Sequence, residues 1–325
     1  MLRIRNAIAL QSSRPYTQSI KNMAVEIISK TRVVEEGYNN SQPHSSAELE
    51  TGCYHRVSHQ SSSTSTKMIF GLFLPSTYKN EVTANTPVVF WLSGLTCDDT
   101  NFAMKAGSRA FDAAEKNGMA IVLPDTSPRH DASVPNVDSY DFGIGAGFYV
   151  NASVEPYSQH YKMYDYVTAE LPDILQNELN IGKHGLKSIC GHSMGGHGAL
   201  TIALREGKDS WKSVSAFAPI ANPVDCPWGQ KAFEGYLGSV DAGKAYDATL
   251  LVESLQAPMY EDILIDQGTA DNFLEEQLKP EALEVAAKRS GQKITVNMRN
   301  GFDHSYYFIA QFIENHINFH AKYLA

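Results

Sequence analysis

Apolar residues in this chain fall in short runs separated by amphipathic stretches, an alternation that predicts strands interleaved with helices. Segments 52–59 and 67–75 read as a hairpin, with Ser61, Ser62 and Ser63 in its turn. Pro87 to Ser93 and Met119 to Pro124 are continuous apolar runs, of the kind a parallel sheet buries on both faces. Between them the pattern from Phe102 to Asn117 is helical and is ended by Gly118. Residues 161–179 read as helix, 186–190 as strand, 196–206 as helix, and 213–218 and 262–266 as strands. Pro280 to Arg289 is helical, 293–298 is the last strand, and a helix from His304 closes the chain. Residues 25–46 offer little beyond the apolar run Val25 to Ile28. Strands alternating with helices imply an α/β fold, a mostly parallel central sheet flanked by helices on both faces. No repeat and no Gly/Ser linker interrupts residues 47–325, so a single domain is expected over 23–325.

Composition narrows the class. The 325 residues are 43% hydrophobic and 19% charged, ordinary for a globular protein with a sizeable core. A formal net charge of −9 argues against nucleic acid or an anionic membrane surface as the main partner. No stretch approaches the roughly 18 consecutive apolar residues of a membrane helix. Cys53, Cys97, Cys190 and Cys226 are scattered without C-x-x-C spacing and read as free thiols in a reducing compartment. Met1 to Asn22 carries Arg3, Arg5, Arg14 and Lys21 and no acid, the composition of a mitochondrial presequence. The alternative is a disordered or artefactual extension, with Met23 as a second start site. Either way the segment is set apart from the fold.

The chemistry concentrates in Gly191-His192-Ser193-Met194-Gly195, which lies between the strand at 186–190 and the helix at 196–206. Strand, G-x-S-x-G, helix is the layout of a tight turn that exposes a serine hydroxyl near a helix N-terminus. Serine needs a base within hydrogen-bond reach and a carboxylate to orient that base. In open parallel sheets such groups sit just past the carboxyl ends of strands. Asp271 follows the strand ending near Ile265, and His304 follows the strand ending near Met298. The order Ser193, Asp271, His304 is that of the α/β-hydrolase fold. Asp266 and Asp303 compete for the acid role; His192 and His197 are read as packing and helix-start residues. The oxyanion donors expected are the N–H groups of Met194 and of Leu95, in Ser93-Gly94-Leu95-Thr96-Cys97. For the second, an ordinary glycine turn is the alternative. No metal or cofactor is called for: His55 and His59 are four apart but in a strand-like region, and neither H-E-x-x-H nor a P-loop is present. Gly143 to Gly147 is read as a flexible wall beside the site.

Five segments together resemble the S-formylglutathione hydrolase (esterase D) family. They are 92–97, Asp141-Phe142-Gly143 through Ala152, 191–199, Ile265-Asp266-Gln267-Gly268, and Asp303-His304-Ser305-Tyr306-Tyr307-Phe308-Ile309. The resemblance runs from about residue 45 to the C-terminus. It implies hydrolysis of S-formylglutathione to glutathione and formate, the last step of glutathione-dependent formaldehyde detoxification, with general esterase activity on small activated esters. It also implies a cytoplasmic homodimer and the same triad, Ser193, Asp271 and His304. The basic segment 1–22 departs from the family and leaves a mitochondrial form open. Cys97 is implied as a thiol near the site whose modification blocks activity; a buried, inert cysteine is the alternative. Trp228 is a candidate wall of the substrate pocket, against plain core packing. The rival functions are a broad carboxylesterase or acyltransferase with the same triad, and a catalytically silent hydrolase fold used for binding.

Overall fold

A computed structural model describes residues 25–34, 49–81 and 83–325. Segment 1–22 and Met23 lie outside the described residues. Nine strands form one sheet among them: β1 (Glu26–Arg32), β2 (Cys53–Gln60), β3 (Lys67–Leu74), β4 (Val88–Leu92), β5 (Ala120–Pro124), β6 (Lys187–His192), β7 (Val214–Phe217), β8 (Ile263–Gly268) and β9 (Ile294–Arg299). Their order is β1-β2-β3-β5-β4-β6-β7-β8-β9. Pairing is antiparallel from β1 to β5 and parallel from β5 to β9. The six-stranded parallel part is where the apolar runs were continuous: every residue of β4 and β5 is buried.

Helices cover both faces of this part, as β6 shows directly. Cys190 faces His316 of the helix Tyr306–Leu324, at 3.9 Å from Sγ to Nδ1. Gly191, next in the strand and so on the opposite face, lies against Gly195 and Gly196 of the helix Met194–Glu206. One continuous core runs from Val34 to Leu324.

Three features before Ser193 differ from the sequence reading. The helix expected over 102–117 breaks at Ala106 into Asn101–Lys105 and Gly107–Lys116. That expected over 161–179 carries a wide π turn at Tyr166–Glu170. There the buried Glu170 carboxylate accepts from Ser61 Oγ, Ser62 N–H and Ser63 N–H at 2.8–2.9 Å, tying down the tip of the β2–β3 hairpin. Finally, β1 was not anticipated. It is an exposed edge strand without alternation, held by its pairing with β2 from Glu26↔Ser58 to Arg32↔Cys53.

The buried histidines predict an acid-sensitive fold. Burial holds the His55 and His197 rings down at about 4 and His320 at about 3, and lowers three further buried histidines. In the unfolded chain such rings take up protons near 6.5. The unfolded state therefore binds more protons below that value. Stability is whole above about pH 6.5 and is lost as pH falls toward 4, at about 1.4 kcal/mol per pH unit for each such ring. Asp125 and Asp247, pushed up to about 6 chiefly by burial, work in the opposite direction but are outnumbered. Urea midpoints should fall steeply between pH 6.5 and 4.5. A flat profile there would contradict this reading of the buried rings.

Candidate active site

The Gly191–Gly195 turn folds as its glycines dictate. A Cβ on Gly191 would sit 2.1 Å from the Gly195 carbonyl oxygen, and one on Gly195 would sit 2.0 Å from that of Leu92. No side chain fits either place. Ser193 between them has φ 59° and ψ −119°, a left-handed conformation that costs a non-glycine residue about 1–3 kcal/mol. The surrounding bonds enforce it: Ser193 N–H donates to Phe217 O at 3.0 Å, and Ser193 O accepts from His197 N–H and Ile220 N–H. Ser193 thereby stands at the carboxyl end of β6 and the N-terminus of the helix Met194–Glu206.

The acid and the histidine meet although 33 residues separate them. His304 Nδ1 lies 2.6 Å from Asp271 Oδ2. The Asp271 side chain is fully buried and that of His304 is 18% exposed, so the bond is shielded while the ring reaches the surface. Phe273 N–H fixes the other carboxylate oxygen at 2.9 Å, and Gln267 Nε2 adds a longer bond at 3.3 Å to Oδ2. A carboxylate can only accept, so His304 Nδ1 carries a proton and Nε2 is the free acceptor. The two loops are braced against each other: Ala270 N–H donates to Phe302 O, and Gly301 N–H to Thr269 Oγ1, both at 2.9 Å. The His304 ring also rests on His192, centroids 4.4 Å apart, which places it beside the serine's immediate neighbour. Burial keeps His192 neutral, far below the ordinary histidine value, and its closeness to His304 adds to this.

The competing acids are engaged elsewhere. Asp266 is buried and accepts from Asn297 Nδ2 at 2.8 Å and from Arg299 at 2.8 and 3.1 Å. Burial raises its carboxyl, but the His316 ring 3.8 Å away and the bonds from Arg299 and Asn297 outweigh that and leave it below the usual range. Among the described residues, Asp303 accepts only from its own loop, through Ser305 N–H. His55 and His59 turn to different partners, the Glu50 N–H and the Tyr166 hydroxyl.

The loop after β4 lies against the serine: a Cβ on Gly94 would be 3.2 Å from Ser193 Cβ. Its amides are largely committed, Thr96 N–H to Gly145 O at 2.9 Å and Cys97 N–H to Gly94 O at 3.3 Å. Among the described residues, no acceptor takes the Leu95 N–H. Met194 is the first residue of its helix, where N–H groups lack intrahelical partners. Several supports of this loop escaped the sequence reading. Tyr149 Oη donates to Ser93 O at 2.8 Å, and Arg129, paired with Asp125, donates to Cys97 O at 2.9 Å. The Gly143–Gly147 segment abuts the loop through Gly145, whose glycine identity is needed because a Cβ there would meet Thr96 Cα at 3.1 Å.

Cys97 is buried, its Sγ 3.7 Å from the Tyr306 hydroxyl. Burial raises its thiol above the ordinary value despite the opposing effects of Tyr306 and Lys105. Trp228 belongs to an aromatic wall. Its ring lies 4.7 Å from Phe273, and Phe273 lies 5.0 Å edge-on from His304. Phe273, two residues past the acid, and Tyr140, which accepts from Trp228 Nε1 at 3.1 Å, were not singled out from the sequence. Nor was the helix Pro227–Leu237 that carries Trp228. Its Pro227, Gly229 and Gly235 resemble loop punctuation, although proline is well suited to a first helical turn.

Comparison with known proteins identifies the family. The Esterase family model matches residues 61–319. An S-formylglutathione hydrolase of Arabidopsis thaliana is 47% identical over 280 residues, covering 86% of this chain and 96% of that protein. One from Rattus norvegicus is 49% identical over 268 residues, covering 82% and 92%. The solved structure of an S-formylglutathione hydrolase from Agrobacterium tumefaciens superposes with a TM-score of 0.78 at 41% identity, covering 84% of this chain and 96% of that one. On its fold, the geometry around Ser193 and these near full-length likenesses, the chain belongs to the S-formylglutathione hydrolase family.

Proposed function

We propose that this enzyme hydrolyses S-formylglutathione to glutathione and formate through a serine-bound formyl group. The observation that carries the reading is the shielded 2.6 Å Asp271–His304 bond beside the strained Ser193 turn. His304 Nε2 takes the Ser193 proton as the hydroxyl oxygen attacks the formyl carbon. The N–H groups of Leu95 and Met194 receive the oxyanion, each such donor contributing about 2.7–4 kcal/mol to the transition state. The C–S bond breaks and the glutathione sulfur takes the proton from His304, which returns the ring to its neutral form. Water then attacks the formyl ester, His304 accepts its proton, and formate departs as Ser193 regains its hydrogen. Asp271 keeps the ring oriented and supports its cationic form throughout.

Trp228 and Phe273 wall the approach to His304, and Cys97 lies in the same loop as Leu95, two residues on. With its raised thiol, Cys97 is placed to block the site when derivatised more than to attack. The same reading includes a homodimer, a cytoplasmic location, one domain over 23–325 and no nucleic-acid partner. The negative net charge supports the last of these. No helix among the described residues is long and apolar enough to cross a membrane.

The test compares kcat/KM for S-formylglutathione and p-nitrophenyl acetate. The proposal expects the thioester to be preferred by 100-fold or more, equivalent to about 2.7 kcal/mol of added transition-state binding. A ratio near one would favour a broad carboxylesterase.

A further inference from the structure

The motif Asp141-Phe142-Gly143 and the helix Pro227–Leu237 do nothing in the acyl transfer, yet they build one rim of the site. Phe142 joins them: its ring stacks on Tyr236 at 4.4 Å, and a Cβ on Gly235 would come within 2.3 Å of it. This close packing sets two side chains of the helix against residues 139–141. Trp228 reaches Tyr140, as described above. Lys231, nearly one turn further on, donates to Ser139 Oγ at 2.8 Å and to Asp141 Oδ1. Ser139 Oγ in turn donates to the same Asp141 oxygen at 2.6 Å. The Lys231 side chain is 47% exposed and Tyr140 is 60% exposed, so this rim faces solvent. Burial raises the Asp141 carboxyl, but the bonds from Lys231 and Ser139 outweigh it and hold it below the usual range. The Asp141 carboxylate is therefore ionised at neutral pH.

A partly exposed ion pair contributes little to stability, about 0–1 kcal/mol, so stability does not account for its placement. Its position is more informative. From His304 the wall proceeds in ring steps of 5.0 and 4.7 Å to Trp228, and Lys231 lies about 4.5 Å further along the helix axis. In an extended glutathione thioester the α-amino-acid end of the γ-glutamyl residue lies roughly 10 Å from the sulfur, at about 3.5 Å of chain per residue. That end carries an ammonium and a carboxylate on one carbon. An adjacent lysine and aspartate complement it head to tail, offering two charge-assisted hydrogen bonds.

We propose that Lys231 and Asp141 form the subsite that grips the zwitterionic end of the γ-glutamyl residue, Lys231 taking its carboxylate and Asp141 its ammonium. The proposal rests on S-formylglutathione being the substrate. It makes this pair a determinant of specificity with no part in the chemistry at Ser193.

The test is a selectivity ratio. KM is measured for S-formylglutathione and for S-formyl-N-acetylcysteinylglycine, which keeps the thioester and the first amide but lacks the amino-acid end. The wild-type enzyme is expected to favour S-formylglutathione by about 10–100-fold in KM, the range of one or two charge-assisted bonds. Lys231→Ala and Asp141→Asn should reduce that preference to about twofold, and Lys231→Arg should keep most of it. Because the ratio is taken within one protein sample, loss of folded enzyme cancels from it. Equal KM values in the wild type, or a preference that survives Lys231→Ala, would overturn the proposal. A wild type that turns over p-nitrophenyl acetate but neither thioester would instead remove the substrate reading on which it rests.

Discussion

Ser193→Ala is expected to lower kcat on S-formylglutathione by about 10⁵-fold, as removal of a serine nucleophile does when its base and oxyanion donors remain. The loss corresponds to about 7 kcal/mol of transition-state stabilisation. It should not come from unfolding. Alanine retains the Cβ that lies against Gly94, and the turn is held by backbone bonds to Phe217, His197 and Ile220. The thermal midpoint should therefore stay within a few degrees of wild type. Stopped or steady-state assays with purified variant, paired with a thermal melt, check both halves. Turnover within tenfold of wild type would mean that another group attacks the formyl carbon.

Asp271→Asn should cost about 10⁴-fold in kcat with little change in KM. The substitution preserves shape and adds no bulk, so the effect isolates a proton. In the wild type the carboxylate accepts from His304 Nδ1 at 2.6 Å. An asparagine presents either a weaker acceptor or an NH₂ donor. In the second case the ring must carry its proton on Nε2, where it can no longer receive one from Ser193. The negative charge that supports the imidazolium is lost as well. A thiolate is a good leaving group, so the damage should fall on the attack of Ser193 and of water more than on departure. Asp266→Asn, by contrast, breaks the brace to Asn297 and Arg299 and should lower stability more than kcat. If the two variants lost kcat to the same degree, the assignment of the acid would be wrong.

Most of the parallel part of the fold was readable because its strands are continuous apolar runs and its helices end on glycine. The turn at Ser193 was readable for a sharper reason: Gly191 and Gly195 occupy places where no Cβ fits. Asp271 and His304 could be located because each follows a strand, and strand ends face one edge of the sheet. What the sequence hid depends on contacts between distant segments. The exposed edge strand β1 has no pattern of its own and exists through pairing with β2. The break at Ala106 and the π turn at Tyr166–Glu170 interrupt otherwise regular helical periodicity. Phe273, Tyr140 and Lys231 are ordinary residues until the helix Pro227–Leu237 packs its Gly235 face on Phe142 and brings them to one rim.

The central claim is that Ser193 is the group through which S-formylglutathione is hydrolysed. One measurement addresses it most directly: titrating the wild-type enzyme with a fluorophosphonate while following residual S-formylglutathione hydrolysis, with the adduct located by peptide mass spectrometry. The account predicts that a single adduct forms on Ser193 and that activity falls in proportion to it, reaching zero at one adduct per chain. Hydrolysis that persists with Ser193 fully modified, or inactivation by an adduct on another residue, would contradict it.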